Sequence, residues 1–392
     1  MRLGRNFMIK TKKWELSDIL LIVGVTILSI LIRIEFRHVV TGDWTTWWDL
    51  WFEELYEGGF KALAGDWYDY APPFVYLLWV ISVLPINCMT GFKLMTSCFD
   101  FAAAVTAFLI IYEITKNRTK AVITYAIFML SPIFLVNSTL WAQCDMLPMF
   151  WVLLCVYFFV KECPSMAMFF FGVAFAFKLQ PLWLAPMLVI LWVNKKVDLK
   201  HFLWLPVNYF LGIIPAWIAG RPLGELLTIY LSQTEAEGWS LSLKYSNLYY
   251  LIGEKGFIEE YHSAGVWLSL AVFMIVLYYI GRKKLKINAE FILILGGFVG
   301  LLAPFFLPQM HERYSFFAEV FLILYVILKP KKFYLPVFQS LTSFMGYSIF
   351  VAQDWSLPIQ YMPFITLTVL VLTGYEVYKY VNDPANQEVA SC

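Results

Sequence analysis

PPFVYLLWVISVLPI, residues 72–86, decides how the rest of this chain is threaded. These fifteen residues read either as a short membrane crossing or as a helix lying along the membrane surface, and the choice inverts the sidedness of every later loop. A crossing needs about 20 apolar helical residues to traverse a hydrocarbon core about 30 Å thick. The loop charges discriminate between the two. If 72–86 does not cross, KNRTK (116–120), Lys161, NKKVDLK (194–200), RKKLK (282–286) and KPKK (329–332) all fall on the side of the basic N-terminus. Twenty of the 29 lysines and arginines then collect there. Cytoplasmic loops carry such an excess, so the stretch is expected to be an interfacial helix within the first external loop. Pro72 and Pro73 suit its start, because their missing N–H groups fall where a helix has unsatisfied donors anyway.

Outward from that stretch the chain reads as an all-α polytopic membrane protein. Of its 392 residues 60% are hydrophobic and only 15% charged, which excludes a soluble domain. Twelve segments are long enough to span, or pair as short halves: 17–35, 93–114, 120–139, 146–161, 164–177, 180–194, 200–219, 264–281, 288–307, 314–328, 333–352 and 361–378. The first is long and lacks a small-residue cleavage site, so it reads as an uncleaved helix. Both termini are then cytoplasmic. No repeat or linker divides the chain, and 1–392 is expected to be a single membrane domain with two large external loops, 36–92 and 220–263. A net charge of +1 points to no nucleic-acid partner, and the six cysteines lack metal or disulfide spacing.

Acidic residues divide the other way. Asp43, Asp49, Glu53, Glu54, Glu57, Asp66, Asp69, Asp145, Glu225, Glu235, Glu237, Glu254, Glu259, Glu260, Glu312 and Asp354 map to the outer side or its membrane boundary. Five polar clusters converge there: 33–59 with TGDW and Asp43 just beyond the first helix, GDWYDYAPPFVYLLW (65–79), NSTLWAQCDMLPMF (137–150) with Trp141, Gln143 and Asp145 at a tight turn, FAFKLQPLW (175–183) and MHERY (310–314). A charge at membrane depth costs roughly 2.5–3.5 kcal/mol on insertion scales, so such clusters usually face a cavity or a ligand. His311 and Arg313, with Lys178, suit a phosphate, Arg through its planar fork and Lys as a point charge. Lys178 and Gln180 interrupt a hairpin whose halves are individually short, as binding sites in membrane proteins often do.

Plainer readings compete. Trp44, Trp47, Trp48 and Trp51 read first as interfacial anchors. Asp100 and Glu319 fit a bond to a neighbouring helix as well as a site. Lys178 alone could snorkel. Glu312 and Arg313 could form a structural pair, but three adjacent titratable groups exceed what such a pair requires. A carboxylate with two or three cations at the membrane boundary fits a reaction that deprotonates a hydroxyl while a lipid phosphate departs. A transporter or scramblase of lipid-linked sugars is the alternative. Related halves and midplane polar residues, expected of a carrier, are not visible.

At these motifs the chain resembles the GT-C superfamily of polytopic glycosyltransferases that use polyprenyl-phosphate sugars. It is most similar to bacterial relatives of the second mannosyltransferase of glycosylphosphatidylinositol synthesis, and also to the eukaryotic glucosyltransferases that extend the dolichol-linked oligosaccharide. TGDW, YAPPF, WAQCD, FKLQP and MHERY occur in order between Arg33 and Tyr314, with GRPL (220–223), Gln233 and YSNLYYL (245–251) also similar. Ala142 stands where the family usually has glycine.

The resemblance implies a GT-C fold and inverting transfer of one hexose (glucose, mannose or galactose) from a polyprenyl-phosphate sugar to a hydroxyl of an extracytoplasmic glycan or glycolipid. Asp43 is then the base, with Asp145 the rival and Asp66 and Asp69 weaker candidates. His311, Arg313, Lys178 and Arg221 are expected at the donor phosphate, and Gln143, Asp145, Trp141, Glu312, Tyr314, Gln180, Asp69, Tyr70 and Arg33 at the substrates. The enzyme is expected to be a metal-independent monomer in the bacterial cytoplasmic membrane, with its active site outside.

Overall fold

The computed structural model describes residues 15–236, 240–252, 259–352 and 360–387. The basic segment before residue 15, and Glu237, Glu254 and Asp354 among the outer acids, lie outside the described residues.

The chain is an all-helical membrane protein. Each of the twelve apolar segments forms helix. Among the described residues, seven helices are long and apolar enough to cross a bilayer: Leu16–Phe36, Cys88–Thr115, Arg118–Leu140, Leu199–Ala219, Tyr261–Gly281, Ala289–Phe306 and Met362–Asn382. Shorter apolar helices accompany them at Pro72–Ser82, Met146–Val160, Pro164–Phe177, Gln180–Val193 and Phe316–Leu328. Helix starts follow local chemistry. Asn87, Asn117 and Asn288 each accept a hydrogen bond from the backbone N–H three residues on, satisfying donors that a first turn leaves unpaired. The Asn87 cap starts its helix at Cys88, five residues before the hydropathy-based boundary at 93.

Pro72–Ser82 has Pro at its first positions and ends four residues short of the sequence boundary. Its 11 residues reach about 16 Å, half of a bilayer core. The Tyr76 hydroxyl inserts into the ladder of the helix Trp204–Ala219, accepting from Ala216 N (2.9 Å) and donating to Gly212 O (3.0 Å), one turn apart beside Pro215.

Ala289–Phe306 is the most enclosed of the long helices, whereas Leu16–Phe36 turns Leu16, Leu20 and Leu31 outward. Small residues let the central helix pack closely: a Cβ on Gly296 would fall 2.4 Å from the Phe321 ring of Phe316–Leu328. A second, aromatic core sits in the first loop. There Trp44, Trp48 and Trp51 are buried against Phe52, Tyr70, Phe74 and Phe92, so three of the four tryptophans read as anchors are core instead. Only Trp47 of that set is exposed. The physical reason is a π-helical turn at Trp44–Trp48, which rotates the stripe toward Phe74 and Phe92.

The loops gather at two ends. Contacts join 36–43, 141–145, 178, 242–244 and 310–313 at one end. At the other, Lys161 reaches Glu113, Lys196 faces Glu162, Leu285 N donates to Asn194 Oδ1 (2.7 Å) and Lys329 pairs with Glu290. The basic motifs thus share one end and the five polar clusters converge on the other.

Candidate functional site

The first helix ends at Phe36, where its last carbonyls have no helical partner. Lys93, buried in the helix Cys88–Thr115, donates to Phe36 O (3.2 Å) and Val39 O (2.7 Å). Thr41 Oγ1 then donates to Trp141 O (3.2 Å), and Asp43 follows, half-buried, at the start of the π-helical turn. Asp43 Oδ2 accepts from Trp141 Nε1 (2.8 Å) and Gln143 Nε2 (2.7 Å). Asp43 Oδ1 makes no hydrogen bond among the described residues.

Both donors come from one sharp turn. Ala142, fully buried between them, has φ +61°, the left-handed region that L-residues avoid at a cost of roughly 1–2 kcal/mol. Glycine at the equivalent place would adopt it freely. That turn aims Trp141 and Gln143 at Asp43 and places Asp145 in a separate, drier network. Lys178 Nζ lies 2.9 Å from Asp145 Oδ1, Asn137 Nδ2 donates to Asp145 Oδ2 (2.8 Å) and Arg313 Nε is 3.5 Å from the same oxygen. Arg313 Nη1 also holds Glu312 Oε1 (2.8 Å), and His311 Nδ1 is 3.7 Å from Glu312 Oε2.

Burial pushes the Asp145 carboxyl up, but Lys178 and Arg313 outweigh it and hold it below the usual carboxylate range. Glu312 is likewise raised by burial and brought lower overall by Arg313. Burial pulls the Lys178 ammonium down, yet Asp145 overrides that and holds it above its ordinary value. All three groups are therefore charged at neutral pH.

Trp141 joins the two halves. Its N–H serves Asp43 while its face carries the Arg313 guanidinium, 5.6 Å from the ring centre. The helix break at Lys178, which is extended between Pro164–Phe177 and the turn Gln180–Leu184, points its ammonium at Asp145 and over the Tyr70 ring (5.2 Å). Tyr314 packs tilted against Trp183 (4.7 Å) and edge-to-face with His311 (5.2 Å). Met310–His311 pairs as a two-residue parallel strand with Ser242–Leu243, which holds the histidine at the rim.

Of the residues singled out in the sequence, Asp43, Trp141, Gln143, Asp145, Lys178, Tyr70, His311, Glu312, Arg313 and Tyr314 come together. Gln180 opens the turn that carries Trp183, with its Oε1 buried and unpaired. Three others have partners of their own. Arg33 is buried against Asp100 (2.7 Å) and Ser29, tying the first helix to Cys88–Thr115. Arg221 lies over the Tyr68 ring (4.4 Å) and 3.5 Å from Glu225. Asp69 is exposed, its carbonyl accepting from Gln233.

Asp100 and Glu319 both bond neighbouring helices, Asp100 through Arg33 and Ser138 and Glu319 through Ser340 and Ser343, with Ser315 at the start of its own helix also donating to it. The Glu312–Arg313 ion pair weighed as a structural alternative is present, and it is joined to Asp145. Sequence reasoning missed Lys93 and Asn137. A lone lysine within 28 helical, mostly apolar residues was the available signal for the first; nothing in the sequence ties Asn137 to Asp145.

Arg313 Nε faces Asp145 and Nη1 holds Glu312, but Nη2 makes no hydrogen bond among the described residues, and Lys178 Nζ has ammonium protons beyond the one given to Asp145, so these paired cations keep donors for a further anion. For a metal, Asp145 and Glu312 are the buried carboxylates here, each already neutralised by a cation, and no three ligating side chains meet among the described residues. No protein-family model matches the chain, and no curated protein is significantly similar to it.

Proposed function

We propose that this protein is a GT-C-type hexosyltransferase that moves one sugar from a polyprenyl phosphate to a hydroxyl of a glycan or glycolipid. In this reading about twelve segments span the bacterial cytoplasmic membrane, both termini are cytoplasmic, and the Asp43 end faces outward. The enzyme works as a monomer and without a metal.

The observation that carries the reading is the contrast between two carboxylates joined through one turn. Asp43 has one oxygen held by two N–H donors and the other open. Asp145 has both oxygens committed, to Lys178 and to Asn137. A general base needs a lone pair within hydrogen-bond reach of the proton it takes. Asp43 Oδ1 offers one; Asp145 is suited to holding cations.

The step follows from that geometry. The acceptor hydroxyl gives its proton to Asp43 Oδ1 as its oxygen attacks the anomeric carbon from the side opposite the phosphate. The bond from anomeric carbon to phosphate oxygen breaks, and its electron pair leaves with the polyprenyl phosphate. Remaining donors on Lys178 and Arg313, with His311 at the rim, stabilise that oxyanion. Gln143 and Trp141 hold Asp43 in line.

The test is product formation by the purified protein in detergent, with polyprenyl-phosphate glucose, mannose or galactose and a glycan acceptor. An enzyme yields product there, whereas a carrier or scramblase, with no compartments to connect, yields none. Asp43→Asn keeps the shape and one acceptor oxygen, so it is expected to fold, bind donor normally and turn over at least about a hundredfold more slowly. Near-normal turnover in that variant, with Asp145→Asn folded but dead, would exchange the two roles.

A further inference from the structure

The end of the molecule away from Asp43 contains a cavity of about 760 Å³. It is separated from the site above by the length of the helix Met146–Val160, about 22 Å, since Asp145 precedes that helix and Phe159 and Val160 line the cavity. Ile114, Phe159 and Leu328 form part of its apolar wall, and Lys120, Lys195, Lys196, Glu113, Glu162 and Glu290 supply its charge.

The charges do not cancel. Glu113 is held by Lys116 (2.7 Å) and Lys161 (3.3 Å), Glu290 by Lys329 (2.9 Å), and Glu162 faces Lys196 at 3.9 Å. Every carboxylate of the cavity is thus answered by a lysine. Lys120 and Lys195 line the cavity with no carboxylate partner among the described residues. The lining itself holds three lysines and three glutamates, and Lys116, Lys161 and Lys329, paired to two of those glutamates from outside the lining, make the surroundings of the cavity positive.

We propose that this cavity binds a phosphate ester, with Lys120 and Lys195 contacting the phosphate. The volume lies in the range of small-molecule sites, roughly 300–1,000 Å³, and exceeds what a bare phosphate fills. The apolar wall suits an ester carrying carbon. The cavity opens among helix ends, at headgroup depth for helices of spanning length, and on the end whose basic loops the charge rule assigns to the cytoplasm. A phospholipid of that leaflet meets all three conditions, and basic pockets between helices there recognise anionic headgroups. The site stands whether or not the Asp43 reading holds.

The experiment compares the full-length protein with Lys120→Gln/Lys195→Gln and with Lys283→Gln/Lys284→Gln, the last pair sharing the basic end but not lining the cavity. Each is placed in nanodiscs of equal phosphatidylglycerol and phosphatidylcholine, extracted, washed in detergent and examined by native mass spectrometry. Wild type is expected to retain phosphatidylglycerol over phosphatidylcholine. At about fivefold per lysine, the cavity variant loses about 25-fold of that preference, and the control keeps it.

In a second arm, inorganic phosphate is added in phosphatidylcholine-only discs. Stabilisation of wild type but not of the cavity variant there keeps the site and assigns its ester to a soluble source. The proposal is overturned if the control loses the preference equally, or if wild type shows neither lipid preference nor phosphate stabilisation.

Discussion

The two ends of this molecule carry similar ion pairs in opposite environments. At the Asp43 end, Lys178–Asp145 and Arg313–Glu312 have side-chain exposures of 7%/5% and 11%/0%. At the basic end, Lys329–Glu290 and Lys116–Glu113 stand at 47%/31% and 63%/26%. Exposed pairs contribute about 0–1 kcal/mol each. Buried ones lose several kcal/mol per ion to desolvation, which their mutual attraction restores only with good geometry and further hydrogen bonds. A net of charges kept dry beside an open carboxylate oxygen is poor economy for stability alone. It makes sense where donors must be fixed before an anion arrives, because preorganised charge needs no reorganisation when the reaction occurs.

The hundredfold loss expected of Asp43→Asn is the largest effect on turnover. On stability, the contrast breaks most readily at its buried pair. Asp145→Asn leaves Lys178 and Arg313 short of an anion and is expected to cost about 3–5 kcal/mol in detergent unfolding, whereas Lys329→Gln at the exposed pair should cost under about 1 kcal/mol. Equal costs would erase the distinction between the ends. The same pair sets an acid limit. Because the folded Asp145 carboxyl lies below its unfolded value of about 3.9, its contribution is complete above that pH and fades as pH falls through the lower folded value. The gap between wild type and Asp145→Asn should therefore narrow below about pH 4.

A smaller effect sharpens the Asp43 side. Lys93→Met removes the tether on Phe36 and Val39 while keeping the apolar stem, so turnover is expected to fall about tenfold with donor affinity unchanged, as loss of alignment does. Lys93→Arg, which can reach the same carbonyls, should recover most of it. A parallel fall in donor affinity would make Lys93 a general structural residue. Smallest is Ala142→Gly. Relief of the left-handed turn should raise stability by up to about 1 kcal/mol with turnover kept, and a destabilised variant would show that the turn is not strained.

Much of this was legible without coordinates because membrane insertion acts on one-dimensional quantities. Hydropathy sums located the helices, and the lysine count placed KNRTK, Lys161, NKKVDLK, RKKLK and KPKK together, as contacts such as Lys161–Glu113 and Leu285–Asn194 bear out. Where the reading failed, it failed on neighbours. Trp48 looks like an interfacial anchor until Phe74 and Phe92 close over it. Arg33 belongs with Asp100, 67 residues away, and Ser138 shares that carboxylate.

The sequence by itself determined the helical membrane class, the grouping of the loops and the residue types gathered at the polar end. Only the tertiary structure decided which carboxylate is open and which is spent. Asp43 meets Trp141 and Gln143 across 98 and 100 residues, and Asp145 meets Lys178 across 33. An isolated aspartate in a sequence carries the same charge at either position; its partners and its exposure to water set what that charge can do, and both arise from contacts between distant segments.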